Sequence, residues 1–118
     1  MKTLVFFVLL AALPASAADI SGVWKVDGAI EDNPVTPTCT LKQTDAKISG
    51  NCVFDAEHAA DLTGEVKGKQ VTWKLTIAHE GTDYTLTFDG TLDSDSSIKG
   101  TIAVTPSDSN GDFTAKKQ

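Results

Sequence analysis

The chain has 118 residues, 41% of them hydrophobic and 22% charged, with two Cys and a formal charge of −6. This composition is globular rather than disordered, collagen-like or cysteine-stapled, and the length holds one domain with a modest core, which excludes a multidomain enzyme. Every cation is Lys; with no Arg fork for phosphate and an acidic field, nucleic acid and anionic membrane surfaces are not expected partners.

In chain order, the first element reads as a leader. Met1-Lys2-Thr3 is a short basic start, Leu4 to Leu13 is unbroken and apolar, Pro14 ends any helix, and Ala15-Ser16-Ala17 supplies small residues for a signal peptidase. The run is too short for a permanent membrane helix, which needs about 20 residues. Residues 1–18 are therefore expected to be a signal peptide cleaved near Ala17 or Ala18, and residues 19–118 the domain. Losing Lys2 takes the formal charge from −6 to −7. The expected location is periplasmic or secreted.

Beyond the leader, apolar and polar residues alternate in short runs separated by Gly, Asp, Ser and Lys, which is the period of strands and not of helices. The first strand is expected over Ile20 to Asp27. A turn centred on Asp45-Ala46 then sets Ile48 opposite Gln43, Gly50 opposite Leu41 and Cys52 opposite Cys39. Two cross-strand cysteines in an exported protein oxidise, so a Cys39–Cys52 disulfide follows, contributing about 2–3 kcal/mol for so short a loop. A redox pair would space its cysteines about two residues apart at a helix start.

Around Gly68, Val66 meets Val71, Gly64 meets Trp73 and Leu62 meets Leu75. Gly64 is expected to make room beneath Trp73. Around the next turn, Glu80-Gly81, Ile77 faces Tyr84, Leu75 faces Leu86 and Trp73 faces Phe88. All six then share one face, an agreement that a slip of one residue would destroy. Around Ser94 to Ser96, Leu92 meets Ile98, Gly90 meets Gly100 and Phe88 meets Ile102. With a last strand over Asp112 to Lys117 the chain is all-β: an eight-stranded antiparallel up-and-down barrel, its even strand count letting the last strand pair with the first. The outward face, including Thr40, Lys42, Asn51, Lys74, Thr85 and Lys99, is polar, the reverse of a barrel facing lipid.

Gly22-Val23-Trp24 resembles the G-x-W start of lipocalin-like (calycin) barrels, and avidin-type barrels begin similarly. Leu41-Lys42-Gln43, Ile48-Ser49-Gly50 and Gly111-Asp112-Phe113-Thr114-Ala115-Lys116-Lys117 look like a small exported bacterial domain of this kind. In lipocalins a basic residue packs over the first-strand Trp; the resemblance gives that place to Lys116 or Lys117. Bacterial inhibitors of secreted metalloproteases are also similar small barrels with one disulfide.

The meander gathers the connections Gly28–Val35, Asp55–Ala59, His79–Thr82 and Thr105–Gly111 at one mouth, together with Glu31, Asp32, Asp55, Glu57, Glu80 and Asp108. Loops at one end of a rigid scaffold are where binding is expected. Glu57-His58 and His79-Glu80 bring two imidazoles and two carboxylates there, a donor set suited to Zn or Cu, or else a solvated acidic rim. Adjacent Glu and His do not make a catalytic pair, so no catalytic residue, enzyme activity or cofactor is expected. Asp93-Ser94-Asp95 lacks the Gly and terminal Glu of a calcium loop and reads as a polar turn.

The inward set includes Trp24, Leu41, Phe54, Trp73, Leu75, Tyr84, Leu86, Phe88, Ile98, Ile102 and Phe113. Such residues fill an eight-stranded barrel or leave space for one small ligand. The expected function is non-enzymatic binding of a small apolar or aromatic molecule by a monomer, with Trp24, Phe54, Trp73, Tyr84 and Phe88 as ligand-binding candidates. The alternative is a protein-interaction module, such as an inhibitor of an exported protease. That reading expects a filled interior and an exposed apolar patch around Ala29-Ile30 and Pro34-Val35-Thr36-Pro37.

Overall fold

The structure, a computed structural model, describes residues 19–118; the expected signal peptide lies outside the described residues. Nine strands follow one another: β1 (Gly22–Ile30), β2 (Asn33–Val35), β3 (Thr38–Thr44), β4 (Lys47–Asp55), β5 (His58–Lys67), β6 (Gln70–His79), β7 (Thr82–Ser94), β8 (Ser97–Thr105) and β9 (Ser109–Lys117). All pairings are antiparallel between neighbours, and β1 closes on β9 from Trp24↔Lys117 to Ile30↔Gly111.

The nine segments make an eight-stranded up-and-down barrel, because β2 and β3 are one strand interrupted. β2 pairs β1 as Gly28↔Val35 and Ile30↔Asn33, and β3 continues the same register as Lys25↔Thr38 and Trp24↔Cys39. The break falls at Thr36-Pro37, where proline has no N–H to give a ladder. The Val26 N–H still donates to the Pro37 carbonyl across the break (3.0 Å). The segment expected as a long Gly28–Val35 loop is thus mostly strand, turning tightly at Glu31-Asp32. The first strand begins at Gly22 rather than Ile20, and the last at Ser109 rather than Asp112.

The expected registers of the β3–β4, β5–β6, β6–β7 and β7–β8 hairpins are the observed ones. Alternation enforces them: the burial of β6 runs in step with its apolar positions, Val71, Trp73 and Leu75 buried and Lys74 and Thr76 exposed. Cys39 and Cys52 form the disulfide on the inner face, with both residues fully buried.

The interior is packed with large side chains. Trp24, Trp73, Phe88, Ile98 and Ile102 are each 0% exposed. Trp73 stacks on Phe88 with ring centroids 5.1 Å apart, and Phe113 meets both edge-on at 5.8 and 5.4 Å. Gly64 makes this possible: a Cβ there would lie 2.0 Å from the Thr72 carbonyl oxygen and 2.8 Å from the Trp73 Cβ.

The end opposite the loops is shut by the residues before β1. Ile20, outside any strand, is fully buried, and its carbonyl accepts the Trp24 indole N–H (2.9 Å). Its own N–H donates to Gln43 Oε1 (3.0 Å), while Ser21 Oγ accepts from the Gln43 N–H (2.9 Å). Lys117, the register partner of Trp24, donates from Nζ to the Asp19 carbonyl (3.2 Å), whereas Lys116 reaches Ser97 Oγ (3.3 Å).

Candidate functional site

The open mouth is built by four turns. Three place an acidic residue at positive φ, Glu31 at 58°, Glu80 at 51° and Asp108 at 60°, and Gly81 at 82° completes a two-residue hairpin turn with Glu80. The fourth, between β4 and β5, is shaped by Asp55, whose Oδ1 accepts the Glu57 N–H at 2.8 Å. Just before it the β4–β5 register shifts between Val53 and Asp55, leaving Phe54 as the extra residue of a bulge. Bulges re-aim side chains, and here Phe54 is turned to the mouth.

Beneath the turns lies a cavity of about 540 Å³. Its walls are Ile30, Pro34 and Val35 from the β1–β2 hairpin, Phe54, the cross-strand pair Ile77 and Tyr84, and Leu86 and Val104 lower down. Asp55, His58, His79, Ser107 and Ser109 bring polar atoms to its edge.

The Asp55 carboxylate is held below its ordinary pKa by the Glu57 backbone N–H and then by the His58 side chain. An ionised carboxylate only accepts, so His58 Nδ1 carries the proton it shares with Asp55 Oδ1 (2.9 Å) and Oδ2 (3.1 Å). The His58 and His79 rings lie 6.2 Å apart, and His79 Nε2 is 3.8 Å from Glu80 Oε2. Among the described residues, no three His, Cys, Asp or Glu side chains converge as a metal site, and no hydroxyl hydrogen-bonds the His58 imidazole.

Of the residues singled out from the sequence, Phe54 and Tyr84 wall the cavity. Trp24, Trp73 and Phe88 do not: they are fully buried and fill the barrel below it. His58 and His79 share the mouth, with Glu57 and Glu80 on its turns. Of the segment considered as an apolar docking patch, Ala29, Pro34 and Thr36 are exposed, Ile30 and Val35 are half-buried at the cavity wall, and Pro37 is buried. The role of β2 was hidden by Pro34 and Pro37, which break the alternation used to find strands. Ile77 and Val104 were legible from strand parity.

No family model and no curated protein matches the chain. Among solved structures, a redesigned β-barrel is similar at a TM-score of 0.69 and 14% identity, over 87% of this chain and 97% of that one. Another redesigned β-barrel, mFAP1, bound to DFHBI, is similar at 0.62 and 15%, over 83% and 94%. A third, mFAP0, also bound to DFHBI, is similar at 0.60 and 14%, over 83% and 98%. At such identity the likeness is one of fold. It carries the eight-stranded barrel and does not place the chain among lipocalin, avidin-type or inhibitor families.

Proposed function

We propose that the protein is an exported, non-enzymatic binding barrel that holds a small apolar or aromatic molecule in its mouth. The observation that carries this reading is the cavity of about 540 Å³ walled by Ile30, Val35, Phe54, Ile77 and Tyr84. Its apolar walls with a few polar groups at the edge are those of a ligand site. Leu86 and Val104 close the cavity from below, and the packed aromatic layer of Trp73, Phe88 and Phe113 lies outside its lining, so an occupant of the mouth needs no space from the core. That two redesigned barrels of this fold hold DFHBI supports the capacity of the architecture for such a ligand. The disulfide supports an oxidising compartment.

Titration with Nile red, a neutral dye that brightens and shifts to the blue in apolar surroundings, tests the reading. Binding is expected, and Val35→Trp, which fills the mouth from the short β2 segment, is expected to weaken it by roughly tenfold at an unchanged urea midpoint. Absence of a spectral shift, or binding indifferent to Val35→Trp, overturns the proposal.

A further inference from the structure

We infer that the occupant of the mouth is an organic cation: a molecule with a flat apolar or aromatic body and a positive group at its outer end. This rests on the binding reading above and adds to it the sign of the ligand. The walls of the cavity are apolar, with Asp55, His58 and His79 the carboxylate and imidazole side chains lining it and Asp55 engaged by His58. Around it each turn carries a carboxylate, Glu31 and Asp32 after β1, Glu57 after β4, Glu80 after β6 and Asp108 after β8. Among the described residues, no lysine lies in the mouth segments 28–36, 53–60, 77–84 and 104–111.

The opposite end differs. Lys47, Lys67, Lys69, Lys116 and Lys117 lie there beside Asp19, Asp45, Glu65, Asp93 and Asp95, so the charges of that end balance and the negative field is concentrated at the cavity. A cleft walled by low-dielectric groups focuses such a field outward along its axis and draws cations in. Phe54 and Tyr84 add to the same preference, because aromatic faces attract positive charge. A bare metal ion suits the site less well. The carboxylates stand on separate turns, His58 Nδ1 is engaged by Asp55, and no three ligating side chains converge among the described residues.

Three dyes of different charge test the inference on the intact domain: thioflavin T (cationic), Nile red (neutral) and anilinonaphthalene sulfonate (anionic). Thioflavin T is expected to bind at least about tenfold more tightly than the anionic dye at low ionic strength, and to lose that advantage as salt screens the rim. Glu31, Glu80 and Asp108 offer a clean variant, since Asn accepts positive φ better than Glu does and at least as well as Asp. The triple variant Glu31→Asn, Glu80→Asn, Asp108→Asn is expected to fold, to keep Nile red binding, and to weaken thioflavin T by roughly 5- to 30-fold. Asp45→Asn, the matching change at the far end, is expected to leave all three unchanged. If Nile red binds but thioflavin T and the anionic dye bind equally, or the triple variant changes neither, the charge inference falls while the binding reading stands. If no dye binds, both fall.

Discussion

Trp24 and Trp73 are equally buried, but their indole N–H groups are treated differently. Trp24 Nε1 donates to the Ile20 carbonyl, whereas Trp73 Nε1 has no partner among the described residues. Replacing Trp24 by Phe leaves that carbonyl unpaired as well as a void; replacing Trp73 by Phe leaves a void but removes an orphan donor. Trp24→Phe is therefore expected to cost about 1–2 kcal/mol more than Trp73→Phe by urea denaturation. The acid limb of stability has a contributor in Asp55. Its pKa is lower folded than unfolded, so its contribution is present above the ordinary carboxylate value and is lost as pH falls through the folded one. An acid titration followed by circular dichroism is expected to show a shallower loss of stability in Asp55→Ala than in the parent chain.

Among the elements, the β5–β6 hairpin shows how pairing can depend on a single residue. Because a Cβ at Gly64 would meet the Thr72 carbonyl oxygen and the Trp73 Cβ, Gly64→Ala must push β5 away from β6. A loss of about 2–4 kcal/mol is expected in chemical denaturation, against near-neutrality for Gly68→Asn, where a positive φ of 60° is kept and nothing stands within 4 Å. Hairpins such as this were legible in the sequence because both strands carry their large apolar residues at one parity, and only one register buries them together. The β1–β2 hairpin was not. Its inward residues, Ile30 and Val35, sit amid Glu31, Asp32, Asn33 and Pro34, which read as a loop. Pairing with β1, fixed by β3 continuing the same register, makes the segment a strand.

At the level of the whole molecule, closure ties these elements into one cooperative unit. β9 supplies Phe113 and Ala115 to the core and covers the edges of both β1 and β8. Removing residues 109–118 uncovers two strand edges at once, and such edges pair with other chains. The truncated chain is expected to lose its near-ultraviolet circular dichroism and its cooperative melt, and to aggregate on gel filtration; a sharp melt retained would mean that closure contributes little.

What the sequence determined by itself is local: which residues face inward, the register of four hairpins, the Cys39–Cys52 pairing and the gathering of both histidines at one end. Each follows from strand parity and turn position, which relate residues a short distance apart in the chain. Only the tertiary structure decided how the interior is divided. Parity assigns Trp24, Trp73, Phe88, Phe54 and Tyr84 to the same side of the sheet, but depth along the barrel axis depends on strand tilt and closure. That depth buries the first three in the packed barrel below the cavity and leaves the last two at its wall.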